Sequence, residues 1–322
     1  MRNIKCLLLI LIALTSYSKS QAQSPKIKFG MPGIYPEGVT FNSKNKLFYV
    51  GSVTTGTIGT VDMNGIYKPI YQDSLLKSTY GLKMDPNQNL LWACVSDANY
   101  SKYSEPSTRK KIGRLIAIDL KSGKKVKDID LASQYEGKHF INDIAFDLQG
   151  NIYATDSFSP VVYKIDKDGK PSVFTKSENF ESIDIGLNGI AFNKDGYLIV
   201  NNNSQGALYK IDLKSPDNVT RIKIKNLFPG ADGMLFDNTG NLVLVQNKGV
   251  DKVHQLSSTD GWQTAELKAS TSAEDRYQQP STATMSGEQV YVLNSKMNEL
   301  SDPIKRPSKD FTIQLVEFKP AK

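Results

Sequence analysis

Residues 188–203 read NGIAFNKDGYLIVNNN, which is a polar residue before a glycine, a short apolar run, a polar turn and a second apolar run. The runs are rich in Ile, Val and Phe and the turn contains Asp-Gly, a combination typical of two paired strands. The arrangement recurs along the chain in six versions. They begin with EGVTFN at 37, YGLKMD at 80, NDIAFD at 142, NGIAFN at 188, DGMLFD at 232 and, more weakly, STATMS at 281.

The spacing of these copies indicates the architecture. Their first residues are 43, 62, 46, 44 and 49 positions apart, which is the period of propeller blades, with an insertion in the second interval. Most copies add a third strand, as in 56–62, 113–119, 160–166 and 206–212, and no amphipathic helical pattern interrupts them. We therefore predict an all-β fold, a six-bladed β-propeller, whose ring is closed by residues 311–318 together with 26–30.

The first 22 residues have the pattern of a secretion signal. Arg2 and Lys5 precede an apolar run over 6–15, and the small residues Ser20 and Ala22 offer a cleavage site. The run is shorter than the roughly 20 residues that span a bilayer, and no later segment is apolar enough to do so. We expect export to the periplasm or the extracellular space, and a single propeller domain over 23–322.

Charge and cysteine content restrict the function further. Removal of the signal takes away three basic residues and no acidic one, so the formal net charge falls from +7 to +4. The basic residues are scattered among acidic ones, which argues against a nucleic-acid partner. Cys94 is the single cysteine left, so an intramolecular disulfide is excluded and the fold depends on its core. We expect a monomer that acts on a small molecule.

The first residues of the six copies define an inner ring, because the first strand of each propeller blade lines the central channel. The ring consists of Glu37, Tyr80, Asn142, Asn188, Asp232 and Ser281. Two carboxylates and two amides that converge at one point are costly to bury unless a cation gathers them. The set lacks thiolate and imidazole, which favours Ca²⁺ over Mg²⁺, Mn²⁺ or Zn²⁺. Taken alone, each residue is more typical of a turn; the shared register of Glu37, Asn142, Asn188 and Asp232 predicts ligands of one divalent cation.

Loops that follow the second strands should lie beside this site. They supply Asp156, Phe158 and Asn201, which together with Tyr80 and Ser281 are predicted to contact substrate. Long insertions at 97–112 and 295–310 are predicted lids, and simple solvated connectors are the alternative. Neither His139 nor His254 has a second histidine at useful spacing, so His139 is expected to be structural.

These motifs resemble a known family. PEGVTF (36–41), HFINDIAFD (139–147), LNGIAF (187–192) and ADGMLFD (231–237) are similar to the gluconolactonase, senescence-marker-protein and luciferin-regenerating-enzyme family of calcium-dependent phosphotriesterase-like propellers. The similarity covers almost the whole mature chain and extends, more distantly, to diisopropylfluorophosphatase and the paraoxonases. It implies that the four ring positions bind the metal and that Asp232 is the general base. Tyr80 stands where the paraoxonases place a histidine, which makes a histidine-dyad mechanism doubtful.

The sequence therefore predicts an exported, metal-dependent hydrolase of small esters, above all a sugar lactonase. The main alternative is a non-catalytic binding propeller in which the same cation is structural, since this fold supports many functions. A condensing enzyme similar to strictosidine synthase is a weaker alternative, because it would not need the metal ring.

Overall fold

The computed structural model describes residues 24–302 and 307–321, and these form six antiparallel sheets arranged around a central axis. The six-bladed β-propeller is confirmed. The predicted signal at 1–22 lies outside the described residues, as does part of the predicted lid at 295–310. None of the helices within the described ranges has the length and apolar character needed to cross a membrane.

Each of the first five blades contains four consecutive strands, and the first strands of neighbouring blades contact one another around the axis. Blades one and two contain β2 (Val39–Asn42), β3 (Leu47–Val50), β4 (Ile58–Val61), β5 (Tyr67–Tyr71), β6 (Ser78–Met84), β7 (Leu90–Ser96), β8 (Gly113–Asp119) and β9 (Lys124–Asp130). Blades three and four contain β10 (Ile141–Phe146), β11 (Ile152–Asp156), β12 (Val161–Ile165), β13 (Pro171–Lys176), β14 (Leu187–Asn193), β15 (Tyr197–Asn202), β16 (Ala207–Asp212) and β17 (Ser215–Arg221). Blade five contains β18 (Ala231–Phe236), β19 (Leu242–Gln246), β20 (Lys252–Ser257) and β21 (Glu266–Ser270), to which β25 (Lys319–Pro320) is added.

The sixth blade is built from both ends of the described chain. Its strands β22 (Pro280–Ser286), β23 (Gln289–Asn294) and β24 (Asp310–Leu315) are followed at the outer edge by β1 (Lys26–Gly30). Strand β1 pairs antiparallel with β24, in a register that runs from Lys26 opposite Gln314 to Gly30 opposite Asp310. The predicted closure of the ring by these two segments is confirmed, and it removes the free edges that an open arrangement of blades would leave.

The fourth strand of each of the first five blades was not predicted from the sequence. Strand β9, with the sequence KKVKDID, has five exposed and two half-buried residues, whereas five of the seven residues of its neighbour β8 are buried. Inner strands are covered by adjacent blades on both faces and read as continuous apolar runs. An outer strand pairs along one edge only and carries polar side chains, so its sequence looks like that of a loop.

Short structures connect the strands. Five 3-10 helices occur within the described residues, at Ser74–Leu76, Ala132–Gln134, Glu178–Phe180, Ala273–Asp275 and Met297–Ser301. The turns between first and second strands are built on side-chain caps. In blade three, Asp147 Oδ1 accepts hydrogen bonds from the backbone N–H groups of Gln149 and Asn151 at 2.9 Å each, and Gly150 takes the left-handed conformation with φ of 84°. Local turn chemistry thus sets the register of the strands that carry the inner ring.

Candidate metal centre

A β-bulge places the inner-ring residue in five of the six blades. Between Ile141 and Ile144 of β10, two residues lie opposite a single residue of β11. The same two-to-one mismatch occurs at the corresponding point of blades two, four, five and six. A bulge locally kinks the strand and re-aims its side chains. It allows a residue on the first strand to face the mouth of the channel instead of a neighbouring blade.

Close approach of neighbouring blades explains why glycine follows most ring residues. A Cβ added to Gly38 would lie 2.1 Å from the backbone oxygen of Tyr80, and one added to Gly189 would lie 2.2 Å from that of Asp232. Neighbouring first strands therefore approach each other more closely than a side chain permits. This close approach gathers the ring residues of separate blades around one small volume.

Cross-blade hydrogen bonds hold the ring together. Thr155 Oγ1 donates to the backbone oxygen of Asn188 at 2.5 Å, Asn201 Nδ2 donates to that of Asp232 at 2.7 Å, and Ser281 Oγ donates to that of Glu37 at 2.6 Å. Each bond links one blade to the next. The ring side chains therefore stand on a braced backbone, as a preformed binding site requires.

Three of the four predicted ligands carry a buried oxygen without a hydrogen-bond partner. These atoms are Glu37 Oε2, Asn188 Oδ1 and Asp232 Oδ1. In Asn142, Nδ2 donates to Ser157 Oγ at 2.9 Å, which orients the amide and leaves its oxygen for another partner. Buried polar atoms are nearly always paired in folded proteins. A group of acceptors that all lack a donor matches what a divalent cation bound by oxygen ligands needs.

The electrostatics of the ring point in the same direction. Burial, the charge of Asp232 and the charge of Asp143 together raise the pKa of Glu37 well above its ordinary value. Burial also raises the pKa of Asp232 to about 7, although a hydrogen bond from Asn247 Nδ2 to its Oδ2 acts against the shift. Carboxylates in such surroundings resist ionisation until positive charge arrives.

Asp143 is a third buried carboxylate at this point, and the sequence reasoning missed it. It occupies the position after the ring residue, which holds glycine in four other copies, and its Oδ2 has no hydrogen-bond partner. Burial raises the pKa of Asp143, while the charge of Lys83 and hydrogen bonds from the backbone of Ile144 and Ile190 oppose the shift. The replacement of glycine by aspartate in copy three was the signal that could have revealed it. Asp143 adds negative charge behind the ring without lining the cavity.

The ring opens into a cavity of about 140 Å³. All six inner-ring residues line it. Its wall also contains Tyr100 and Phe140 on one side, the half-buried amides Asn203, Asn247 and Gln279 on the other, and Ile185, Ser295 and Met297. Tyr100 comes from the insertion at 97–112, and Ser295 and Met297 come from that at 295–310. Both insertions thus reach the cavity.

Asp156 does not line this cavity, contrary to the expectation that it contacts substrate. Its Oδ2 lies 2.8 Å from His139 Nδ1 and accepts a hydrogen bond from Tyr163 OH at 3.2 Å, while its Oδ1 accepts from the backbone N–H groups of Phe140 and Phe158. The carboxylate is fully buried. Because these donors occupy both oxygens, Asp156 braces the loop before β10. His139 belongs to the same cluster.

Two other predicted substrate residues also lie outside the cavity lining. Asn201 stands opposite the bulge of blade four, where its amide bonds to the backbone of Asp232. Phe158 packs on Phe140, with ring centroids 5.3 Å apart, and borders a separate depression. Both act behind the site: Asn201 supports a ring residue and Phe158 supports a wall residue.

The donor set is unusual for a metal site in one respect. Across residues 24–302 and 307–321, no three His, Cys, Asp or Glu side chains form a group able to hold a metal ion. The ring combines two carboxylates with two amides, so it would hold a cation through carbonyl-type oxygens as well as through charge. Such mixed oxygen ligands are compatible with Ca²⁺ and poorly suited to Zn²⁺.

Solved structures of several differently named proteins have the same fold. The major allergen Mala s 1 of Malassezia sympodialis superposes with a TM-score of 0.72 at 17% identity, over 92% of this chain and 97% of that one. The luciferin-regenerating enzyme superposes with a TM-score of 0.60 at 15% identity, over 92% and 99%. A protein assigned as a gluconolactonase gives 0.59 at 16% identity, over 93% and 96%.

These neighbours include two names to which the sequence motifs pointed, so the resemblance is confirmed at the level of the fold. At such identities, the likeness establishes the six-bladed propeller and leaves the activity to the site. No protein-family model and no curated protein sequence matches the chain.

Proposed function

We propose that this protein is a cation-dependent hydrolase of small esters, with sugar lactones as the first candidates. The observation that supports the proposal is the set of unpaired oxygens on Glu37, Asn188 and Asp232 at the floor of a cavity. Unsatisfied buried acceptors cost free energy unless a ligand pairs with them. Gluconolactonase and luciferin-regenerating enzyme are names of propellers with the same fold.

Glu37, Asn142, Asn188 and Asp232 would hold the cation, with Ca²⁺ as the expected ion. The two carboxylates balance its two charges, and the two amides complete four protein ligands. Calcium binds about six to eight oxygens, so such a set leaves positions for water and substrate. When bound, the cation would polarise an ester carbonyl and stabilise the negative charge that develops on it.

Asp232 is the proposed general base, because a carboxylate that binds the cation through one oxygen keeps its second oxygen available to accept a proton. As water forms a bond to the acyl carbon, Asp232 would take its proton and later return it to the alkoxide that leaves when the acyl–oxygen bond breaks. The unpaired Oδ1 is the oxygen suited to the cation. The proton would then go to Oδ2, which must release its hydrogen bond from Asn247.

Substrate recognition is proposed for the cavity wall, where Tyr80 and Ser281 lie beside the ring. Tyr100 and Met297 come from the two insertions, which we propose act as lids. Export as a monomer completes the proposal, on the strength of the signal pattern at residues 1–22 and of the mild net charge.

The test is hydrolysis of a lactone panel that includes a gluconolactone. The protein is first treated with a chelator and then supplied with Ca²⁺, Mg²⁺, Mn²⁺ or Zn²⁺ singly. We expect Ca²⁺ to restore turnover in the natural protein and in Glu288→Gln, an exposed change in the turn before β23, and to fail in Glu37→Gln. A protein that is inert with every ion, yet melts at higher temperature when Ca²⁺ is added, would favour the non-catalytic binding propeller.

A further inference from the structure

Tyr80 is the ring residue that a cation would leave unsatisfied. Its hydroxyl is buried and has no hydrogen-bond partner, like the three ring oxygens. Those oxygens are acceptors that positive charge can satisfy, whereas the phenol carries a proton that needs an acceptor. Among the described residues that line the cavity, it is the one buried donor without a partner. The Tyr80 hydroxyl is therefore a donor at the site that has no acceptor among the described residues.

The packing around Tyr80 fixes this donor in place. The tyrosine is fully buried, it belongs to the largest apolar cluster of the described residues, and its ring meets Phe140 edge-on with centroids 4.4 Å apart. Ser78 Oγ donates to the backbone oxygen of Val53 at 2.5 Å, and it makes no hydrogen bond with the Tyr80 hydroxyl. A donor that is buried and held in place before the substrate arrives stabilises developing negative charge more strongly than a mobile, solvated one.

Other donors on the cavity wall differ from Tyr80. Asn247 Nδ2 is already shared between Asp232 Oδ2 and the backbone oxygen of Pro280, and the Ser281 and Ser295 hydroxyls donate to backbone oxygens. Tyr100 is 40% exposed, so water can pair with its hydroxyl. An incoming carbonyl group thus meets one buried, uncommitted donor beside the ring.

We infer that the Tyr80 hydroxyl donates a hydrogen bond to the carbonyl oxygen of the bound ester and acts as a catalytic residue of the proposed hydrolysis. The inference rests on the proposed function and assigns to Tyr80 the stabilisation of the oxygen that gains negative charge. It also gives the substrate a geometry, because the carbonyl group must reach the blade-two side of the ring while the remaining ring atoms face the amides of blades four to six.

The experiment compares the natural protein with Tyr80→Phe and with a matched control, Tyr277→Phe. Tyr277 is also buried and its hydroxyl also lacks a partner, but it lies outside the cavity. Steady-state kinetics on the best lactone of the panel give kcat and KM. Calorimetry gives the Kd of Ca²⁺ and the Kd values of a six-membered lactam and of tetrahydropyran, a ring ether without a carbonyl group.

We expect Tyr80→Phe to lower kcat about 10- to 100-fold with KM within about twofold, as for the loss of one donor to developing charge. The preference of the protein for the lactam over the ether should fall about fivefold or more, and the Kd of Ca²⁺ should stay the same. Tyr277→Phe should leave all these values unchanged.

Three results overturn the inference. The first is an equal lactam preference in the natural protein and in Tyr80→Phe, and the second is a natural protein that shows no lactam preference. The third is a Tyr80→Phe variant in which the affinity for Ca²⁺ falls as much as the affinity for the lactam. The last result would indicate that Tyr80 positions the ligand Glu37 and does not contact the substrate. The ligand measurement does not depend on turnover. If the natural protein hydrolyses no lactone but Tyr80→Phe still abolishes the preference for the lactam, the proposed hydrolysis is contradicted, whereas the contact between Tyr80 and a carbonyl group is supported.

Discussion

Two buried polar clusters of this propeller differ in how completely their oxygen atoms are hydrogen-bonded. In the cluster of His139, Asp156 and Tyr163, both carboxylate oxygens accept hydrogen bonds and the histidine is held against them. In the inner ring, Glu37 and Asp232 are buried to a similar degree, yet each keeps an oxygen without a partner. Burial alone therefore does not distinguish structure from function. A cluster whose buried polar atoms are all hydrogen-bonded stabilises the fold by itself. A cluster with unpaired buried atoms costs free energy until a ligand binds to them.

The largest expected effect comes from breaking the satisfied cluster. Asp156→Ala leaves His139, Tyr163 and two backbone N–H groups without their acceptor, so the free energy of unfolding should fall by about 3–5 kcal/mol. Urea unfolding without added cation measures it. Glu37→Gln is the comparison, because it removes a desolvated charge from the unsatisfied ring and should leave that free energy equal or higher. Equal losses in the two variants would contradict the distinction.

Asp232→Asn should break the function of the unsatisfied ring and leave the fold intact. It removes the proposed base and one negative ligand, so we expect turnover of the best lactone to fall at least about 100-fold, or about 2.7 kcal/mol. The melting temperature of the cation-free variant should not fall. Asp195→Asn, an exposed change in a turn of blade four, is the control. Turnover that persists in Asp232→Asn would remove Asp232 from the mechanism.

The pH dependence of cation binding sharpens the same comparison. The raised pKa values of Glu37 and Asp232, the latter about 7, mean that protons and the cation compete for the ring. Without cation, their contribution to stability is present at acidic pH and is lost as the pH rises from about 4 through 7, because the folded state then holds charges it disfavours. Bound cation compensates for that loss. The stabilisation by a fixed concentration of Ca²⁺, about 2.7 kcal/mol where that concentration is 100 times Kd, should therefore be larger at pH 8 than at pH 5, where protons raise the Kd.

The measurement is the melting temperature with and without saturating Ca²⁺ from pH 5 to pH 8, together with the protons released on binding. A Ca²⁺ effect that is constant across this range would show that the carboxylates are ionised without the cation. The Glu288→Gln variant should follow the natural protein, since Glu288 is exposed at a turn between strands β22 and β23.

The smallest expected effect concerns a second satisfied site, at His254. Its two ring nitrogens lie 2.8 Å from Ser270 Oγ and 2.9 Å from Gln246 Oε1, and burial lowers its pKa to about 4. A depressed histidine pKa means that the unfolded chain binds the proton first, so stability should fall as the pH drops from about 6.5 to 4, by about 1–3 kcal/mol. Urea unfolding across this range checks it, and His254→Gln should flatten the dependence. An unchanged slope in that variant would assign the effect to other groups.

Much of the fold could be predicted because each blade repeats a local pattern. Strand pairs joined by polar turns recur with a constant period, and the complementary strands at the two ends indicate how the ring closes. The fourth strands of the first five blades could not be predicted, because a strand at or near the outer edge, such as β9, needs no continuous apolar pattern. Part of the site followed from the same repetition, since register alone places one residue of each copy at the axis.

What the sequence by itself determined is the propeller, its closure and the identity of the six ring residues, because these depend on periodicity and on strand direction. The tertiary structure decided which polar groups are satisfied. Asp156 and Glu37 are both acidic residues near strand ends, and only contacts between distant segments show that Asp156 has donors for both oxygens while Glu37 keeps a buried oxygen without one. Hydrogen-bond satisfaction is a property of three-dimensional neighbours, so Asp143, the amide wall and the unpaired hydroxyl of Tyr80 emerge only when the blades are assembled.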